Sequence, residues 1–320
     1  MHVEGWTDEV GDKTTEVINM KKQKRDWASY NDQLVRRGEL LIDLDFIKNW
    51  EKELEEMNCG KRGKPFDYPK SLVTFLAFPR YFFGLPFRQE EGFVEALAKL
   101  LPELEVPDYS TICRRINRLA PKFERSLRGL GDDVVVAIDA SGIKVTNRGE
   151  WRRELWGDKS KRGYLKIHIA VDVKTKQILA MEVTDERTGD SKMFKPLVER
   201  ASERVNVRLV LADSAYDSRE NFDFLEANNI EPGIKIRRGA SGKACGSWAR
   251  RRAAREFLKD EKKWKRRVGY GRRWAVEGTF SNLKRTFGEF VVAREFKNMV
   301  QEMLLKAFTY NLLMNLSAGG

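Results

Sequence analysis

Asp139 and Asp213 each close an apolar run, VVVAID (residues 134–139) and VRLVLAD (residues 207–213). Small residues follow both, Ala140-Ser141-Gly142 in one case and Ser214-Ala215 in the other. In open α/β sheets the carboxyl ends of the strands form the ligand crevice, so paired acids there are placed to meet a ligand. A single acid at a strand end also serves as an ordinary turn former. Glu277 is a third carboxylate, in a segment of helical period. At ~100° per residue, Arg273, Glu277 and Lys284 share one stripe, joined by Tyr270 if the helix reaches back that far. Val276, Leu283 and Phe287 fall on the neighbouring stripe and would dock the helix on the sheet. Three convergent carboxylates are hard oxygen ligands suited to magnesium or manganese. Two such ions clamp the attacking and leaving oxygens of an in-line phosphoryl displacement, chemistry that requires no histidine.

The composition agrees with that chemistry and excludes others. Only His2 and His168 are present among 320 residues, which removes a histidine-centred hydrolase or a multi-histidine metal site. Cys59, Cys113 and Cys245 are too far apart for a zinc site or a disulfide framework, and suit a reducing, intracellular setting. The apolar stretches 71–85 and 303–316 are interrupted by charged and polar residues and fall short of a membrane span. Residues 1–15 lack the basic start and apolar run of a signal peptide.

The net charge of +12 is concentrated. Residues 235–285 carry 18 Lys and Arg against 4 Asp and Glu, while the rest of the chain is slightly acidic. Such a block reads as the footprint of a polyanion, nucleic acid first among them, or as a solvated helical face. Arg250, Arg251, Arg252, Lys262, Lys263, Arg266 and Arg267 are its candidate DNA contacts. Trp248, Trp264, Tyr270 and Trp274 are interleaved with them, an arrangement suited to base stacking as well as to packing.

These residues need elements to hold them. Residues 26–130 read as a helical domain behind a polar tail, residues 1–25. Helices are expected over 40–57, 71–83 and 88–101, the last with Phe93, Leu97 and Leu100 as its buried stripe. A turn at Pro107-Asp108 leads into a helix through about Leu119, with Ile112, Ile116 and Leu119 on one face. Arg114, Arg115 and Arg118 lie largely off that face. Two helices and a short turn, the second rich in arginine, form a helix-turn-helix-like pair that would contact DNA or simply pack. From Gly131 the pattern changes to strands over 133–139, 164–173 and 177–184, an antiparallel meander. Helix 191–204, strand 206–212, helix 218–228, strand 231–237 and a helix-rich remainder follow. Residues 131–320 thus form an α/β layer with a mixed sheet.

Against this background the motifs resemble those of insertion-sequence DDE transposases of prokaryotes. Tyr270-x2-Arg273-x3-Glu277-x6-Lys284 has the spacing of their Tyr-Arg-Glu-Lys signature. IDASGIK (138–144) resembles the first-aspartate motif and LADSAYDS (211–218) the second. YLKIHIAVD (164–172) with VTDERTGDSKMFKPLV (183–198) looks like the segment between them. YNDQLVRRGEL (30–40), LPFRQEEGF (85–93) and VPDYSTICRR (106–115) extend the resemblance to nearly the whole chain.

The resemblance implies a ribonuclease H-like mixed five-stranded sheet with flanking helices, preceded by an all-α N-terminal domain. It implies that Asp139, Asp213 and Glu277 hold two Mg2+ or Mn2+ ions per active site and cleave DNA at the element ends. The freed 3′-hydroxyl would then join target DNA. Arg273 and Lys284 would grip phosphates and Tyr270 would position backbone or an end base. The implied partners are double-stranded DNA, as inverted repeats and target, and a second copy of the chain on that DNA. No membrane and no organic cofactor are implied, and the setting would be cytoplasmic and nucleoid-associated. Two other readings fit the same core: a structure-selective endonuclease or junction resolvase, and a domesticated DNA-binding derivative without catalysis. His168 reads as a packed structural residue, Asp190 as a helix N-cap, and Asp172 and Asp217 as turn or cap residues.

Overall fold

A computed structural model describes residues 27–39, 44–121, 123–145, 163–243 and 245–318. The polar tail, residues 1–25, lies outside them. Among the described residues no helix is long and apolar enough to cross a membrane.

The N-terminal half is helical: α1 (Trp27–Glu39), α2 (Asp45–Lys48), α3 (Trp50–Asn58), α4 (Lys70–Phe82), α5 (Phe87–Ala98) and α6 (Tyr109–Ile116). Its core of Leu72, Leu76, Val94, Ile112 and Ile116 is completed by Leu305 from the far end of the chain. Asp108 starts α6 by accepting the N–H groups of Ser110 and Thr111 at 2.9 and 3.1 Å, the usual N-cap solution for orphan donors.

The structure corrects two expectations here. The segment 40–57 is not one helix, because Asn49 leaves helical geometry (φ −107°, ψ 9°) and its side chain donates to Asp45 O. Local side-chain hydrogen bonds of this kind compete with the helix. Phe93 and Leu97 of α5 pack on the core as expected, beside the fully buried Glu90 and Val94, but Leu100, beyond the helix end at Ala98, is 78% exposed.

The C-terminal half is built on one mixed sheet of β1 (Val134–Val145), β2 (Tyr164–Asp172), β3 (Ile178–Asp185), β4 (Val207–Ala212), β5 (Glu231–Ile234) and β6 (Phe290–Val291). The spatial order is β3-β2-β1-β4-β5, and β6 pairs with the end of β1. The meander β1-β2-β3 is antiparallel as expected. β4 runs parallel to β1, and β5 parallel to β4. Among the described residues the sheet therefore has six strands rather than five; β6 is two residues long and leaves no pattern in the sequence.

β1 is also longer than its apolar run. Asp139 lies in mid-strand, because β2 continues to pair from Asp139↔Ile169 out to Lys144↔Tyr164. Ala140-Ser141-Gly142 is thus strand, not turn. β5 stops at Ile234 rather than 237.

Among the described residues six helices accompany the sheet: α7 (Asp190–Ser202), α8 (Arg219–Ala227), α9 (Trp248–Lys259), α10 (Glu261–Val268), α11 (Trp274–Phe287) and α12 (Phe296–Ala318). Side chains alternate across a strand, so His168 and Glu182 share one face, covered by α7 through Arg200–Glu182 and Asp190–His168. Asp139 belongs to the opposite face, where α11 lies. α12 is sewn to β3 by buried Asn311, which bonds both the N–H and the C=O of Ile178 at 2.8 Å.

Candidate active site

β1 and β4 are parallel neighbours in register at Ala137↔Leu211. Two residues further along the chain come Asp139, within β1, and Asp213, just past the end of β4, close enough that the charge of Asp213 acts on Asp139. The strong β-branched runs fix this register by burial: Val136, Ile138, Val210 and Leu211 are all completely buried. Beyond Ala212 the chain turns sharply, and Asp213 caps the 3-10 turn Ser214–Tyr216 by accepting Ala215 N–H at 2.7 Å. Asp139 likewise accepts the N–H of Ala140 at 2.9 Å.

The third element is brought in by Gly269. Its left-handed conformation (φ 62°) ends α10 and opens a 3-10 turn, Tyr270–Arg273, that feeds α11. Ala275, Val276, Leu283 and Phe287 are buried and fix the rotation of α11. Arg273 then reaches Asp139 Oδ2 at 2.9 Å and also pairs with Glu277, one turn along the helix. Lys284 donates to Ser141 Oγ at 2.8 Å, on the same strand as Asp139. The Tyr270 hydroxyl donates to Ala212 O at 3.3 Å, directly before Asp213. All six residues of the expected site are therefore gathered about β1 and the end of β4. Tyr270 arrives there from the 3-10 turn, and not from a helix continuous with Glu277.

Burial raises the pKa of Asp139, and the neighbouring Asp213 pushes the same way; the Ala140 N–H and the Arg273 guanidinium pull it back. Burial likewise raises Tyr270, partly offset by Arg273. Of the two adjacent acids only Asp139 has a cation partner among the described residues, Arg273, which it shares with Glu277; the pair is short of positive charge, and carboxylate oxygens are hard donors. That donor chemistry fits a divalent cation. Among the described residues no three His, Cys, Asp or Glu side chains already stand close enough to enclose one. The Glu277 side chain is 56% exposed and paired with Arg273.

His168 is fully buried, with Nε2 3.0 Å from Thr184 Oγ1, and burial lowers its pKa to about 4. It is a neutral packed residue on the face opposite Asp139. Asp190 is not the N-cap of α7, which is Gly189; it pairs instead with Lys166 at 3.1 Å. Asp172 makes its turn as expected. Asp217 is more than a turn residue. Its buried carboxylate is held by Arg250 at 2.6 and 2.9 Å and by the N–H of Arg237 at 2.9 Å.

This changes the expected set of DNA contacts. Arg250 is a strut for Asp217. Arg252 is paired with Glu226, and Arg267 with Glu256 and Glu231. Arg251 lies over the exposed Trp248 ring. Lys262, Lys263 and Arg266 are exposed on α10, with no ion pair among the described residues. Trp264 and Tyr270 are packed against each other, ring centroids 5.3 Å apart, whereas Trp248 and Trp274 are 75% and 57% exposed. In the helical half Arg114 and Arg118 are exposed. Arg115 is half-buried, donates to Tyr68 O at 2.9 Å and stacks on Phe66. Its position is that of a packing residue.

An acid within one strand, a second just past the end of its parallel neighbour, and a helix that brings arginine and glutamate alongside make a cluster of carboxylates of the kind found in carboxylate-based active sites. A family model described as a transposase DDE domain matches residues 130–312, and a second of the same description matches residues 35–148. The chain belongs to the DDE transposase family. Among solved structures it is similar to a piggyBac transposase synaptic complex with hairpin DNA (11% identity, TM-score 0.37, covering 89% of this chain and 79% of that one). It is also similar to a Drosophila P element transposase strand transfer complex (12% identity, TM-score 0.30, covering 58% and 41%).

Proposed function

We propose that this DDE-family chain is an insertion-sequence transposase that cuts double-stranded DNA at the element's inverted repeats and joins the 3′ ends to target DNA. The observation that carries the reading is the placement of Asp139 within β1 and Asp213 just past the end of its parallel neighbour β4, with Arg273 linking Asp139 to Glu277. In this reading the core is ribonuclease H-like and works as a dimer on DNA in the cytoplasm of a prokaryote.

Asp139, Asp213 and Glu277 would hold Mg2+ or Mn2+, two ions in the full site. Bound there, the metal supplies an activated water and a clamp for the leaving oxygen. The chain's own residues do the rest. The N–H groups of Ala140 and Ala215 orient the two aspartates. Arg273 and Lys284 project cations beside them, where a scissile phosphate would lie. Tyr270 braces the end of β4 and keeps Asp213 near Asp139. Lys262, Lys263 and Arg266 offer exposed charge for the DNA flanking the cut.

The test is cleavage of DNA carrying the element ends, with Mg2+. The wild type nicks and joins; Asp213→Asn and Glu277→Gln bind the DNA without cutting it. Cutting that survives Glu277→Gln would remove that residue from the site. Cleavage of branched DNA with no joined product would favour the junction-resolving endonuclease, and binding without any cleavage the domesticated derivative.

A further inference from the structure

The turn after β4 is gripped by two arginines of different kinds. Arg250 is mostly buried, its side chain 16% exposed, and it holds the fully buried Asp217 carboxylate. That pair is a strut within the fold. Arg237, on the loop after β5, is exposed. Its Nε donates to Ser214 O at 2.9 Å and its terminal nitrogen to Ala215 O at 3.0 Å.

The carbonyl of Ser214 and the N–H of Ala215 belong to one planar peptide unit. That N–H is the group that orients Asp213, at 2.7 Å from Oδ1. Arg237 therefore fixes the oxygen end of the same plane whose nitrogen end aims the carboxylate. Tilting the plane would break both bonds, and polarising its carbonyl strengthens its N–H as a donor. A guanidinium has five N–H groups, and two are spent on these carbonyls. Unlike those of Arg250, Arg252 and Arg267, the Arg237 guanidinium pairs with no carboxylate among the described residues; it is the backbone N–H of Arg237 that meets Asp217. Arg237 is exposed, and the two carbonyls it holds come directly after Asp213 in the chain.

We propose that Arg237 is a positioning residue, locking the Ser214–Ala215 peptide that orients Asp213 while offering its outer N–H edge to a DNA phosphate. The inference rests on the reading of Asp213 as a metal-holding acid of a DNA-processing site. Lysine at 237 separates the two halves, because an ammonium keeps the charge but not the planar fork that spans both carbonyls.

The experiment uses the full chain. Mn2+ is titrated into DNA-free protein and read as loss of the free-ion electron paramagnetic resonance signal. Half-saturation should rise roughly tenfold in Arg237→Lys and Arg237→Ala alike, the usual scale for losing a group that orients a metal ligand. DNA binding without metal is followed across a salt series. The slope of log K against log salt should fall by about one in Arg237→Ala and be kept in Arg237→Lys. Unfolding temperatures of the wild type and Arg237→Lys should coincide.

Mn2+ uptake at wild-type concentrations in both variants overturns the positioning role. So does a loss of uptake in Arg237→Lys that merely tracks a drop in unfolding temperature. An unchanged salt slope in Arg237→Ala overturns the phosphate contact. A wild-type protein that takes up no Mn2+ and binds no DNA overturns the reading of the site itself, a result distinct from the others.

Discussion

Arg273 and Asp139 meet at 2.9 Å across 134 residues of sequence, and both side chains are largely withdrawn from solvent. The same guanidinium holds Glu277. One cation thus ties the helix that carries the third carboxylate to the strand that carries the first. A mostly buried acid that loses its counter-ion is costly, on the order of a few kcal/mol, and a fork is needed to serve two carboxylates at once.

Arg273→Gln should therefore act twice. Cleavage of end-sequence DNA should fall by roughly two orders of magnitude, the scale for losing one preorganised donor at a reacting phosphate. The unfolding temperature should fall as well, because Asp139 is left partly desolvated. Arg273→Lys should recover much of the stability and little of the cleavage, since an ammonium restores charge without the second bond. Lysine restoring both would show that charge alone matters at this position.

The basic segment divides by partner. Lys262, Lys263 and Arg266 on α10 are exposed and form no ion pair among the described residues. Changing all three to alanine should weaken DNA binding across sequences and flatten its salt dependence, by about one unit of slope per lost phosphate contact. Thermal stability should hardly change. An unaltered slope would make this face a solvated one.

Arg250 should behave in the opposite way. Its bidentate grip on Asp217 is buried on the acid's side and pins the turn that follows Asp213. Arg250→Ala should destabilise the fold by about 3–5 kcal/mol, the cost of orphaning a buried carboxylate, measured by denaturant unfolding. The double change Arg250→Ala with Asp217→Asn should restore part of that loss. A purely DNA-binding Arg250 would give neither effect.

That contrast shows where sequence reasoning succeeds. Asp139 and Asp213 were legible because each interrupts a β-branched run before small residues, a local pattern. Val276, Leu283 and Phe287 were legible as a docking stripe because helical period is local too. The continuation of β1 past Asp139 was not, since it depends on pairing with β2. The local charge of the basic segment could be counted, but its partners Glu226, Glu231 and Asp217 lie outside it. Arg237 was missed for the same reason: its role is set by carbonyls of a distant turn, and backbone acceptors leave no trace in residue type.

Glu90 supplies a prediction away from the site. It is completely buried on α5, neither carboxylate oxygen has a hydrogen-bond partner among the described residues, and burial pushes its pKa up to about 8 against a partial opposing pull from Arg80. The unfolded chain releases this proton near pH 4.5, while the folded one keeps it to about 8. The unfolded state thus binds fewer protons over that interval, and stability declines as pH rises through it. The stabilising contribution is complete below 4.5 and gone above about 8. His168 contributes the reverse on the acid side: with its pKa lowered from 6.5 to about 4, its share is complete above 6.5 and lost as pH falls towards 4. Glu90→Gln removes only the first effect. Wild type and variant should unfold almost alike at pH 4.5 and diverge by on the order of 2–4 kcal/mol at pH 8, the variant being the more stable. Denaturant unfolding at a series of pH values measures the difference directly, and two parallel curves would mean that Glu90 ionises in the folded protein as it does in water.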